Sequence, residues 1–242
     1  MTMKKYLIIP AILLSIGSVQ SAGMTPAPQA HHQTHAQAHA AEQKDERPVV
    51  KKVLFIGDSM TGWLSERLGA YAKENGFEVA TVVWDGSTIR KWGSAAGLKR
   101  IIRQQDPDAI FVSLGMNELF EKKPEVALKS GLDKIKSAAG DTPLIWVGPP
   151  SWPGHKEGKV ICDWLSEQLG EGHFFNSLQL SIPRQSRSNP HPTREGLIKW
   201  MDEVVEWVQK DGAVAFPGVK KPSGSPMTRG KVFIYKRMKE KL

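Results

Sequence analysis

Between residues 49 and 209, short apolar runs alternate with segments of helical spacing, and this alternation constrains the fold more than any other property of the chain. Residues 49–56, 77–83, 109–114 and 143–147 are β-branched and apolar, and 173–175 is a short fifth candidate strand. Most of these runs are continuously apolar rather than alternating, the pattern of strands buried on both faces. Residues 63–75, 95–105, 124–139, 156–169 and 193–209 carry helical spacing. The last of them gathers Leu197, Trp200, Met201, Val204, Val205 and Val208 on one side, as a helix docked on a core requires. Gly76 stops the first helix and Asp106-Pro107 the second. Strands interleaved with helices predict an α/β domain over 49–211 whose mostly parallel, five-stranded sheet is covered on both faces. In such sheets ligands bind beyond the carboxyl ends of the strands, so the residues just after each strand are where chemistry is expected.

The flanks read differently. Lys4 and Lys5 precede an apolar run, and Ser18, Ser21, Ala22 and Gly23 follow it. That order predicts a cleavable signal peptide over 1–22, with an uncleaved anchor as the alternative; the run is short for a bilayer span. Residues 23–48 are rich in Ala, Gln, Pro and His with no apolar period, the composition of a flexible linker. The linker holds His31, His32, His35 and His39, whose spacing fits no closed metal site. Residues 212–242 form a basic tail, in which 231–235 reads as a small strand or docking patch. From Ala213 onward there are eight basic residues against the single acid Glu240, nearly the whole of the net charge of +8. The basicity therefore belongs to the tail, where it suits anionic polymers or membrane surfaces, and it argues against a nucleic-acid-binding face on the domain. The single cysteine, Cys162, excludes an internal disulfide and lies in an amphipathic stretch, as a core residue does.

Four strand-end or pre-helix loops carry reactive residue types. The first strand runs into Gly57-Asp58-Ser59, the second into Trp84-Asp85-Gly86, and the third into Gly115-Met116-Asn117; His191 precedes the last helix. A serine hydroxyl becomes a useful nucleophile when a neutral histidine takes its proton. A serine between a strand and a helix N-terminus also has backbone N–H groups at hand for an oxyanion, and an asparagine amide adds another donor. Gly86 has no side chain to keep its N–H from a substrate. Ser59 and His191 are thus the candidate catalytic pair, with Ser59, Gly86 and Asn117 as the oxyanion hole. Trp84, Trp92 and Trp152 fall in post-strand loops, where sugar stacking or an acyl pocket and plain loop packing are equal readings; His155, after the fourth strand, is a further pocket candidate and the runner-up as base. No Gly-x-Ser-x-Gly elbow is present, which disfavours an ordinary α/β-hydrolase.

With these blocks in this order, residues 50–209 resemble the SGNH/GDSL hydrolases, whose lettered residues match Ser59, Gly86, Asn117 and His191 here. The run from His191 through Pro192, Thr193, Arg194 and Glu195 to Gly196 is similar to the last block of that family. The resemblance implies a flavodoxin-like three-layer α/β/α sandwich. It also implies ester hydrolysis or acyl transfer through an acyl-serine, without metal or other cofactor. One position departs: where the family has the aspartate of its triad, three residues before the histidine, this chain has Ser188. Ser188 would orient the imidazole only as a neutral acceptor.

Three functional readings stay open on the sequence. The first is an exported esterase, periplasmic or at the cell surface, removing small acyl groups, acetate above all, from an envelope glycan such as peptidoglycan. The second is an O-acyltransferase moving the acyl group onto a glycan hydroxyl. The third is a lapsed, glycan-binding module without turnover.

Overall fold

The computed structural model describes residues 45–151, 157–186, 189 and 191–228, and the backbone of 231–235. The signal peptide and most of the linker expected from the sequence lie outside the described residues, as do Trp152, His155, Ser188 and much of the basic tail.

The elements in chain order are β1 (Lys52–Gly57), α1 (Ser59–Asn75), β2 (Glu78–Trp84), α2 (Ile89–Gly93), α3 (Leu98–Gln105), β3 (Ala109–Ser113), α4 (Pro124–Ala127), α5 (Lys129–Ala139), β4 (Leu144–Val147), α6 (Lys159–Leu169), β5 (Phe174–Phe175), α7 (Arg194–Asp211) and β6 (Lys231–Tyr235). The sheet order is β5-β4-β3-β1-β2-β6, and every pairing is parallel. The five strands anticipated from the sequence form the flavodoxin-like core order, whose switch point lies between β1 and β3. A sixth strand, β6, joins beyond β2, with Ala80 in register with Lys231 and Trp84 with Tyr235. Part of the expected tail is therefore the edge of the sheet.

Two-residue alternation sends side chains to both faces of each strand. Leu54, Ile56, Ile110, Val112 and Trp146 point to one layer, where they pack with residues of α2, α3, α5 and α6. Val53, Phe55, Phe111, Ile145 and Val147 point to the other, against α1 and α7. Both faces being covered explains why the strands read as continuous apolar runs. Cys162 is fully buried in the first layer, and burial pushes its thiol up to about 12, so it is inert as a nucleophile at neutral pH.

Beyond shifts of a few residues at helix starts such as Leu98 and Lys159, the helices depart from the sequence reading in three places. The first helix opens at Ser59, four residues before its apolar spacing becomes visible, because the Asp58 carboxylate caps it by accepting from Met60 N at 2.9 Å. The short α2, capped by Thr88, has too few turns to show a period. The single helix expected over 124–139 is two, α4 and α5, meeting at Leu128, whose φ of −116° departs from helical values.

The folded body extends past α7. Val214, Ala215 and Phe216 are buried, and Val50 N donates to Ala215 O at 2.9 Å while Ala215 N donates to Pro48 O at 2.9 Å. Arg47 closes the C-terminus of α7 by donating to the carbonyls of Val208, Gln209 and Gly212 at 2.7–2.9 Å, groups that no helix can satisfy internally. Residues 220–228 then run back along α1. Lys220 exchanges two hydrogen bonds with Asn75, Arg67 donates to Pro226 O, and Thr228 N donates to Glu66 O. Beneath this strap Arg67, 2% exposed, pairs with Asp202 of α7 at 2.7 Å, and Tyr71 donates to the same carboxylate at 2.8 Å.

Candidate active site

The carboxyl ends of β1 and β3 lie side by side, with Gly57 in register with Ser113. Gly57 has no room for a side chain, since a Cβ there would lie 2.2 Å from both Ser113 O and Thr61 Oγ1. This close approach lets the chain pass from β1 into α1 with a single residue, Asp58, between them. Ser59 is the first residue of that 17-residue helix. Its N–H has no intrahelical acceptor, and the helix dipole favours negative charge beside it.

Across from Ser59 stands His191, which α7 positions: Thr193 caps that helix through Gly196 N at 3.1 Å, leaving His191 in the turn just before it. Ser59 Oγ lies 3.1 Å from His191 Nε2. Residues 132 positions apart in sequence are thus brought within hydrogen-bonding distance. On the far side of the ring, His191 Nδ1 lies 2.8 Å from Asn189 Oδ1, which also accepts from His191 N at 3.2 Å. Asn189 was not singled out by sequence reasoning. Counting back from the histidine at the family's spacing leads to Ser188, and only the asparagine's short polar side chain, a common turn former, marked the position.

The second and third donors expected of an oxyanion hole sit on adjoining loops. Gly86 is the third residue of a tight turn closed by Ser87 N donating to Trp84 O at 3.0 Å. Its φ is +62°, and a Cβ there would touch nothing within 4 Å. Backbone conformation rather than crowding is therefore what calls for glycine here. Lys91 Nζ donates to Gly86 O at 2.8 Å and steadies that peptide. Asn117, exposed in a single 3₁₀ turn after β3, donates through Nδ2 to Ser87 O at 2.8 Å and to Asp58 Oδ2 at 3.3 Å. Asn117 thereby ties the β2 loop to the residue before Ser59. Glu118, also missed in the sequence, completes the brace by accepting from Ile89 N at 2.9 and 3.1 Å; burial raises its pKa. Asp58 is 1% exposed, and burial pushes its carboxyl up to about 7.

For two of the candidate pocket aromatics the packing reading holds. Trp92 is fully buried and Trp84 is 9% exposed. They pack edge to face at 5.7 Å, and Trp92 Nε1 donates to Ser87 Oγ at 2.8 Å. The turn at Ser87 is tight enough to make Trp84 the last strand residue, with its ring turned into the core, so both support the loop from below. The exposed aromatic nearest Ser59 along the chain is Trp63, 48% exposed. It lies four residues on from Ser59 in α1, hence on the same helix face. Among the described residues no group of three or more His, Cys, Asp or Glu is placed to hold a metal ion.

No family model and no curated protein matches the sequence. Solved structures do. A protein of the G-D-S-L lipolytic family from Desulfitobacterium hafniense DCB-2 is 16% identical, with 65% of this chain and 99% of that one aligned at a TM-score of 0.50. The psychrotrophic esterase EstA from Pseudoalteromonas sp. is 20% identical, with 66% and 97% aligned at 0.50. A gut microbial diltiazem-metabolizing enzyme is 13% identical over 68% of this chain, at 0.49, and the present chain spans about half of it, 48%. The chain thus has the SGNH/GDSL hydrolase fold.

Proposed function

We propose that the chain is an exported serine esterase that hydrolyses acyl esters, acetyl esters above all, on a cell-envelope glycan in the periplasm or at the cell surface. The observation that carries the esterase reading is the 3.1 Å approach of Ser59 Oγ to His191 Nε2 at the mouth of β1 and β3, the place where sheets of this order bind ligands.

In the proposed reaction, His191 Nε2 takes the Ser59 hydroxyl proton as Oγ attacks the ester carbonyl carbon. The carbonyl π electrons move onto oxygen. The resulting oxyanion lies against donors at the helix start and adjoining loops: Ser59 N–H, Gly86 N–H and Asn117 Nδ2. Of the two bonds Asn117 makes, the longer one, to Asp58, is the one an oxyanion can displace. Collapse of the adduct breaks the ester C–O bond, and His191 returns the proton to the leaving alcohol. Water then attacks acyl-Ser59 by the same sequence, and the acid and free Ser59 are regenerated.

Three features support the envelope-glycan part of the reading. The N-terminal residues have the composition of an export signal, and the C-terminal segment is basic. Trp63 offers an exposed ring one helical turn on from Ser59, a surface on which a sugar ring can stack. The pairing of Ser59 with an oriented His191 favours turnover over a lapsed binding module.

The test compares the purified chain with Ser59→Ala on p-nitrophenyl acetate and on O-acetylated peptidoglycan, with acetate release recorded. Ser59-dependent release from both substrates is expected. Turnover of the wild type no faster than the variant on a panel of acyl esters overturns the esterase reading. Acetate transferred to an added glycan rather than released to water replaces it with acyl transfer.

A further inference from the structure

We infer that Asn189 is the positioning residue of this site, setting the tautomer of His191 through a chain of uncharged groups in place of a carboxylate. The kinetic arm of this inference rests on the esterase reading; its structural arm does not.

The direction of each hydrogen bond follows from groups that have only one sense. The backbone N–H of His191 can only donate, and it points at the Asn189 side-chain atom 3.2 Å away. That atom must therefore be the amide oxygen. An oxygen there can only accept, so the His191 Nδ1 lying 2.8 Å from it carries the ring proton. In the neutral imidazole Nε2 is then bare, the form that accepts from the Ser59 hydroxyl at 3.1 Å.

A second fixed-sense group agrees from the other end. The Pro192 carbonyl can only accept, and Gln185 Nε2 faces it at 3.4 Å. With its nitrogen committed there, Gln185 turns Oε1 toward Asn189 and accepts from Asn189 Nδ2 at 2.7 Å. The backbone holds the same frame: Gln185 N donates to His191 O at 3.0 Å, Asn189 N donates to Ser186 Oγ at 3.0 Å, and Arg184 bridges to Pro192 as an isolated antiparallel pair. Pro192 O, Gln185, Asn189, His191 and Ser59 thus form one polar sequence, every member oriented, which ends at the nucleophile's proton.

This placement separates Asn189 from an asparagine that merely replaces the aspartate of a triad. In the serine-protease triad, such a change lowers kcat by about 10⁴-fold because it installs the wrong tautomer. Here the amide is pinned with its oxygen toward the ring, so the productive tautomer is kept. What the site forgoes is a negative charge to balance the imidazolium formed on proton transfer.

The first measurement uses the full chain with ¹⁵N-labelled histidine, the His191 ring being assigned by its loss in His191→Gln. With the imidazole neutral, wild type is expected to show a protonated Nδ1 and a bare Nε2. Asn189→Leu is expected to show a mixture of the two tautomers. A wild-type ring protonated on Nε2 overturns the inference whatever the activity.

The second measurement is p-nitrophenyl acetate turnover. Asn189→Ala and Asn189→Leu are expected to lower kcat by about 10²–10⁴-fold, with KM changed less than about twofold. Asn189→Asp is expected to recover kcat to within about tenfold of wild type, the Gln185 amide turning over to donate and giving up its long contact with Pro192. An alanine variant that keeps wild-type kcat overturns the inference, as does an aspartate variant as slow as the leucine one. If Ser59→Ala turns over as fast as wild type, the esterase reading fails, and the tautomer measurement still decides the role of Asn189.

Discussion

Asn117 Nδ2 lies 3.3 Å from Asp58 Oδ2, so the amide expected to meet an oxyanion is held by the residue that caps the helix beginning at Ser59. Asp58 therefore has two duties, closing the first turn of α1 and holding Asn117 before substrate binds, and it performs both while almost wholly buried. The carboxyl ends of β1 and β3 are joined here by side chains as well as by the ladder.

That burial has a consequence for stability. The Asp58 carboxyl titrates at about 7 in the fold against an ordinary value of 3.8. Between those values the folded chain keeps a proton that the unfolded chain has released. The associated stability is full below the lower value and is lost as pH rises through the upper one. Wild type is expected to lose denaturant resistance between about pH 4 and about pH 7, and Asp58→Asn, which retains a capping oxygen, to lose less. Urea midpoints of both proteins at about pH 5 and about pH 8 check this.

Removing the Asn117 amide should cost rate more than stability. Asn117→Ala is expected to lower kcat on p-nitrophenyl acetate by about 10²–10³-fold. The loss of unfolding free energy, from the bond to Ser87 O and the longer one to the buried Asp58 carboxyl, should be about 1–2 kcal/mol. Steady-state kinetics and urea titration of the same preparation separate the two effects.

Trp63 should report on the size of the substrate. Because its ring is exposed one helical turn from Ser59, Trp63→Ala is expected to raise KM for O-acetylated glycan about 2–10-fold, the loss of one aromatic contact. Kinetics on p-nitrophenyl acetate, too small to reach the ring, should be unchanged. An equal effect on both substrates would place Trp63 in the structure of the site rather than in recognition.

The pair under the strap should behave as a buried ion pair does when half of it is removed. Burial works against the charged form of Asp202, but hydrogen bonds from Arg67, Lys221 and Tyr71 outweigh it and hold the carboxyl below its ordinary value. Arg67→Met leaves that carboxylate with Tyr71 and Lys221 alone. A loss of about 3–5 kcal/mol is expected, read from the shift in denaturant midpoint at neutral pH. Lys221→Met, which removes the exposed partner, should cost less than about 1 kcal/mol.

What the sequence made legible follows from what kinds of interaction leave a pattern. Ser59, Gly86, Asn117 and His191 stood out because each sits just past a strand or just before a helix, and those boundaries are set by apolar periodicity. Asn189 did not, because a side chain in a loop reaches its partner through local backbone geometry that no period records. For a related reason, the sequence leaves open whether Trp84 and Trp92 face a ligand or the core. A residue at a strand's end has two faces open to it, and the tight turn at Ser87 sent the Trp84 ring to the inner one. The strand β6 was only half visible, since residues 231–235 have the composition of a strand but nothing in the sequence says which edge they join. Short elements such as α2 fail for want of turns.

The pairing of Arg67 with Asp202, 135 positions later in the chain, also ties the helix that begins at Ser59 to segments far from it in sequence. The Arg67 guanidinium stays buried because α7 brings a counter-charge and residues 220–228 bring the carbonyl of Pro226. Loss of that strap would uncover the guanidinium and remove one of its acceptors, leaving the pair half satisfied. A change in the strap, where Pro226 lies 159 positions after Arg67, therefore reaches the helix on which Ser59 sits, without touching any residue around its hydroxyl.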